Sequence, residues 1–99
     1  LTFDSNPSLA FISFSNYNVT NFTITGGFPL VETLRVDGNN LPSVVLDDIL
    51  INLDNNGLTN GTLDYSSQTG GASPNAGVST GAYNSLIFKG WTVTGNVPI

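Results

Sequence analysis

Hydrophobic residues in "LVETLRVDGNNLPSVVLDDILINLDNNGLTNGTLDYS", residues 30–66, change their spacing twice. They alternate at Leu34 and Val36, recur as Val45, Leu46, Ile49, Leu50 and Leu53, and alternate again at Leu63 and Tyr65. Alternation predicts a short strand, because successive strand side chains point to opposite faces; the recurrence at i, i+1, i+4, i+5, i+8 predicts one apolar stripe of a helix. Pro42 sits near the start of that helix, Asp47 and Asp48 favour its early turns, and Gly57 is placed to end it in a left-handed residue.

The strand-like stretches share one frame. Val31, Leu34, Val36, Asn39 and Leu41 fit L-x-x-L-x-L-x-x-N-x-L without a gap. Upstream the frame catches Leu9, Ile12, Phe14, Tyr17 and Val19, with Asn16 and Asn18 beside the asparagine slot. Downstream it catches Leu63, Tyr65 and Gln68, then Phe88, Trp91, Val93 and Asn96. The anchors Ile12, Leu34, Leu63 and Trp91 are separated by 22, 29 and 28 residues, a period that marks a repeat architecture. Among the connections, "VTNFTITGGFPL" reads as an extended stretch in which Phe22 and Ile24 alternate with Thr, and Leu1 and Phe3 look like an earlier copy of it. In "GGASPNAGVSTGAYNSLIFKG" a second helix is expected, with Ser73 as cap, Pro74 at the first helical position, Val78, Ala82, Leu86 and Ile87 as the inner stripe, and Lys89-Gly90 at its end.

"NYNVTNFTITGGFPLVETLRVDGNNL" resembles bacterial leucine-rich repeats in which an L-T-x-L-x-I back strand alternates with an L-x-x-L-x-V-x-x-N front strand. The later "ILINLDNNGLTNGTLDYSSQTGGASP…NSLIFKGWTVTG" is similar to the longer, helix-bearing repeats that often close such arrays in exported bacterial and phage-encoded proteins. The resemblance implies an α/β fold: a short leucine-rich-repeat solenoid, a right-handed superhelix with a parallel front sheet, extended back segments in its N-terminal half and helices in its C-terminal half. It implies one domain over residues 1–99, about four turns, a fragment or an uncapped array whose ends are covered by further chain or by another subunit. It also implies a ladder of Asn16, Asn39 and Asn96, whose side chains would bond backbone groups where the chain leaves the sheet. Tyr17 and Gln68 at asparagine slots and Gly70 in place of Leu depart from the pattern and put the tightness of the third turn in doubt. The rival fold is a small all-β sandwich with the Asn-Gly pairs as hairpin turns.

Charge narrows the function. Two basic residues, Arg35 and Lys89, stand against seven acidic ones, too few cations to neutralise a phosphate backbone or to hold an anionic membrane surface. No apolar run reaches the length of a membrane span. Polarity comes instead from 34 Asn, Thr and Ser residues. With no Cys and no His, thiolate and imidazole chemistry is excluded; no Ser-rich motif of catalytic spacing lies near Lys89 or Arg35, and Gly70-Gly71 lacks the phosphate-loop signature. No enzyme activity and no cofactor are expected. Asp54, Asn56, Asn60 and Asp64 offer oxygen ligands but miss the glycine and bidentate-acid positions of a calcium loop, so no metal is expected either. Three N-x-T sequons begin at Asn18, Asn21 and Asn60 and matter only in a eukaryotic secretory pathway.

In this frame Phe11, Ser13, Ser15, Thr33, Arg35, Asp37, Thr62, Asp64, Ser66, Thr92 and Thr94 face solvent on the front sheet. Phe11, Ser13, Arg35, Asp37, Asp64, Ser66 and Thr92 are the expected partner-binding residues, with Arg35 and Asp64 as a cross-strand ion pair. Trp91, at an anchor position, reads as the plug of the last turn rather than a sugar platform. The expectation is an interaction module that binds a protein or glycan at a cell or virion surface. The alternative is a structural subunit that stacks through its uncapped ends.

Overall fold

The computed structural model describes residues 8–23 and 30–99. The alternating stretches form four three-residue strands: β1 (Phe11–Ser13), β2 (Thr33–Arg35), β3 (Thr62–Asp64) and β4 (Thr92–Thr94). Every pairing is parallel, and the spatial order follows the chain, β1-β2-β3-β4. Parallel neighbours need a crossover; helix α1 (Ser43–Asn56) supplies it between β2 and β3, and α2 (Ala76–Phe88) between β3 and β4. The result is a small α/β fold, and the all-β sandwich is ruled out by this pairing. Of the extended connection after β1, Phe22 is buried with its ring 4.8 Å from that of Phe14; Leu1, Phe3 and Ile24 lie outside the described residues.

Helix α1 forms where the apolar stripe requires it. Val45, Leu46, Ile49, Leu50 and Leu53 are all buried, and full burial of such side chains stabilises by about 1.5–3 kcal/mol each. Pro42 is the residue before the first helical turn, and its carbonyl accepts the N–H groups of Val45 and Leu46. Gly57 ends the helix at φ 76°, a left-handed conformation that costs a side chain without glycine's freedom. Both acidic residues fall in the second turn, Asp48 exposed and Asp47 buried inside the stripe.

Helix α2 starts two residues later than the expected Ser73 cap. Asn75 precedes it in an extended conformation, and Pro74 is buried ahead of it. Consequently the inner face is Ser79, Ala82, Tyr83 and Leu86, with the expected Val78 and Ile87 exposed. At its C-terminus Gly90 takes φ 86°, its N–H bonds the Ile87 carbonyl, and the Trp91 N–H reaches the Leu86 carbonyl. This double bond pattern is a Schellman end, in which a left-handed glycine lets two orphan carbonyls be satisfied.

The strand register corrects the fourth anchor. Ile12, Leu34, Leu63 and Val93 are aligned across the sheet. Trp91 therefore stands two residues ahead of the anchor position, and Phe88, expected inside, is 93% exposed at the end of α2. The Schellman end consumes the two residues that the constant frame ignored. Because strand side chains repeat every two residues, a slip of two leaves each face unchanged, so Thr92 and Thr94 still point outward. Trp91 packs over Gly61, where a Cβ would come 2.5 Å from its ring, and its indole N–H donates to the Leu58 carbonyl at 2.8 Å. It plugs the end of the core beside the anchor column rather than within it.

Candidate functional site: the outward face of the sheet

Two buried amides hold the chain where it leaves the sheet. Asn39 Nδ2 donates to the carbonyls of Phe14 at 2.8 Å and Val36 at 2.9 Å, while its Oδ1 accepts the N–H groups of Tyr17 and Val19 at 3.0 and 3.1 Å. Gln68 repeats the device one strand along: Nε2 donates to Val36 and Tyr65 carbonyls at 3.0 and 3.1 Å, and Oε1 accepts the Leu41 N–H at 2.9 Å. Each amide thus joins the end of its own strand to the end of the preceding one. Glutamine, flagged as a departure in the sequence, performs the asparagine task with a side chain one methylene longer.

The expected ladder is otherwise different. Asn16 is exposed at φ 64°, and by register it aligns with Gly38 at φ 69° and Ser67 at φ 57°, a column of left-handed residues one position before the amide slot. Glycine suits position 38 on two counts, its left-handed φ and the Asn16 side chain packed where a Cβ would stand. Asn96 is exposed; its Nδ2 lies 3.4 Å from the Ala72 carbonyl, and its backbone carbonyl accepts the Tyr65 hydroxyl at 2.6 Å. Burial, with Tyr83 nearby, pushes the Tyr65 phenol well above its ordinary pKa. The working ladder is therefore Asn39 and Gln68, with Asn16 and Asn96 outside it.

On the outward face the register stacks Phe11, Thr33, Thr62 and Thr92 in one row, and Ser13, Arg35, Asp64 and Thr94 in the next. Phe11 is 60% exposed, and Ser13, Arg35 and Thr92 are exposed too; Asp37, Asp64 and Ser66 are partly buried. Arg35 and Asp64 are register neighbours, yet the salt bridge forms elsewhere. Arg35 reaches the Asp37 carboxylate at 3.4 Å, two residues along the same face, with side-chain exposures of 48% and 17%. Asp64 is occupied: its Oδ1 accepts the Ser66 hydroxyl at 2.6 Å and the Ser66 N–H at 3.0 Å, a local turn bond. The Ser15 hydroxyl, from the neighbouring strand end, donates to Asp37 Oδ1 at 2.6 Å. The long Arg35 contact is weak, worth a few tenths of a kcal/mol at about half exposure. The face therefore carries two carboxylates fixed by serines and one loosely held guanidinium. Beside β1 lies a cavity of about 310 Å³ lined by Leu9, Phe11, Ile12 and Ser13.

Away from this face, a buried carboxylate sets the second helix. Asp47 Oδ1 accepts the Asn75 N–H at 2.7 Å and the Ser79 hydroxyl at 2.6 Å, and Oδ2 accepts the Asn75 amide at 2.8 Å. The sequence carries a signal for it, an acid embedded in the apolar stripe, and a polar pair four residues apart that could meet it. Asp54 pairs with Lys89 at 2.7 Å, and Lys89 also donates to the Asp54 carbonyl at 2.9 Å. Burial pushes the Asp54 carboxyl up, but hydrogen bonds from Lys89 and Ser85 and the Lys89 charge outweigh it and hold the pKa below its ordinary value.

Among the described residues no group of three or more carboxylate, imidazole or thiolate side chains is placed to hold a metal ion, and no helix is long and apolar enough to cross a membrane. No protein-family model, curated protein or solved structure matches the chain.

Proposed function

We propose that the chain is a short solenoid of the leucine-rich-repeat type and that its outward sheet face binds a protein or glycan at a cell or virion surface, without catalysis or cofactor. The observation that carries this reading is the order of the face: the amides of Asn39 and Gln68 fix the strand ends, and the partly buried carboxylates of Asp37 and Asp64 are held by the hydroxyls of Ser15 and Ser66. Side chains held in place before contact lose less entropy on binding. Phe11 adds an apolar anchor and Arg35 a donor fork suited to a carboxylate or to vicinal hydroxyls. The same repeated connection of sheet end to sheet end, amide to carbonyl, supports the solenoid.

The test is a double charge reversal, R35D with D64K, which leaves net charge unchanged. Immobilised wild-type and variant chains are probed with a glycan array and a panel of surface proteins. A loss of about tenfold or more in the variant's affinity for whatever the wild type binds supports the face as the site. Equal binding by both overturns it. A second reading, a structural subunit of a larger assembly, is favoured by the sheet edges described next.

A further inference from the structure

Among the described residues both edges of the sheet are open, in complementary ways. On β1 the Ala10 carbonyl accepts the Glu32 and Thr33 N–H groups and the Phe14 N–H reaches the Arg35 carbonyl, so the backbone groups of Ala10, Ile12 and Phe14 face β2. By the alternation of a parallel ladder, the Phe11 carbonyl and the Ser13 N–H and carbonyl point to the opposite side. On β4 the Thr92 N–H bonds the Gly61 carbonyl and the Thr94 carbonyl accepts the Tyr65 N–H, so Val93 turns its N–H and carbonyl away from β3. Among the described residues neither outer edge has a neighbouring strand.

We infer that the β4 edge of one copy pairs in parallel with the β1 edge of a second, in the register Val93 to Ile12. Val93 N–H would donate to the Phe11 carbonyl and the Ser13 N–H to the Val93 carbonyl, the pattern that Leu34 already makes with Thr62 and Asp64. Three observations favour a second copy as occupant. Val93 is only half-buried although its register partners Leu34 and Leu63 are fully buried, so the anchor column is one layer short at this end. The edges carry none of the lysines, prolines or bulges that protect an exposed strand: they read Phe-Ile-Ser and Thr-Val-Thr. The charges Arg35, Asp37 and Asp64 all lie on or beside the two inner strands, so the paired edge strands set Thr92 and Thr94 beside Phe11 and Ser13, none of them charged, despite the net charge of −5. Head-to-tail pairing of this kind does not close on itself and builds an open row. The sheets would then form one continuous face.

The inference goes beyond the binding reading, and a monomeric chain would overturn it while leaving that reading intact. Sedimentation of the 99-residue chain over about two decades of concentration should show mass rising above the 10.4 kDa monomer without a plateau at the dimer. S13P and V93P each remove an outward N–H and no internal bond, and each should remain monomeric alone. Mixed at equal amounts they should form a dimer and nothing larger, because each retains the edge that the other lacks. Should either proline variant lose its circular dichroism, the exposed pair Phe11 and Thr92 serves instead: F11K/T92E, with opposite charges across the contact, should associate up to about tenfold more tightly than F11K/T92K, with like charges. A wild-type chain that stays monomeric throughout, proline variants that associate as wild type does, or indifference to the charge of the Phe11 and Thr92 pair would each overturn the inference.

Discussion

Replacing Asn39 tests how much the strand ends depend on one side chain. Its amide makes four hydrogen bonds between 2.8 and 3.1 Å, two donated to carbonyls and two accepted from N–H groups, and the residue is fully buried. A typical internal hydrogen bond contributes about 1 kcal/mol net, and a buried partner left unsatisfied costs about 1–3 kcal/mol. Water can reach the partly exposed ends at Tyr17 and Val19, and the Val36 carbonyl keeps the Gln68 amide as donor, so N39A should cost about 2–3 kcal/mol, still a sizeable share of a small domain's roughly 5–15. The N39D variant sharpens the argument. It keeps the acceptors but sets a carboxylate against the Phe14 and Val36 carbonyl oxygens, which disfavours the charged form in the folded state and raises its pKa there. A raised carboxyl pKa means the folded state binds the proton more tightly, so N39D should recover stability as pH falls from 7 towards about 4.5. The assay is urea unfolding followed by Trp91 fluorescence and far-UV circular dichroism at both pH values. A cost of N39A below about 0.5 kcal/mol, or an N39D penalty equal at both pH values, would refute the reasoning.

Three further outcomes follow from single contacts. D47A should cost about 2–4 kcal/mol by stranding the Asn75 and Ser79 donors, and amide hydrogen exchange should accelerate at residues 75–79 before it does so in α1. G61A should displace the Trp91 ring, whose atoms lie 2.5 Å from the added Cβ, and be read as a red-shifted emission with a loss of about 1–3 kcal/mol. The folded pKa of Asp54 is depressed, so its pairing with Lys89 contributes above the unfolded value near 3.8 and fades as pH falls below it; K89M should lower stability by about 1 kcal/mol at pH 7 and flatten the acid limb of the stability curve.

The parts of the fold legible in sequence were those carried by side-chain periodicity. Alternation located all four strands, and the stripe from Val45 to Leu53 located α1, because burial of one face dominates both. The outward face was legible for the same reason, surviving even the two-residue misplacement of the last strand. What escaped were arrangements decided by polar contacts between distant segments. Asp47 looks like a helix-dipole residue until Asn75 and Ser79 are brought to it, and that meeting, not the apolar pattern, sets the start and rotation of α2. Arg35 and Asp64 were rightly adjacent in register, but Ser66 competes for Asp64 at shorter range than the guanidinium can reach. Gln68 was hidden by a fixed expectation of asparagine, although its reach differs by only one methylene.

The parallel register of the four strands underlies both the outward face and the open edges, and nuclear Overhauser contacts read it directly. In the labelled chain, the side chain of Leu63 should show contacts to Val93 and to Leu34, with backbone amide contacts from Thr92 to Gly61 and from Thr62 to Glu32. Contacts that align Leu63 with Trp91, or close α-proton pairs of the kind made only by antiparallel strands, would contradict it.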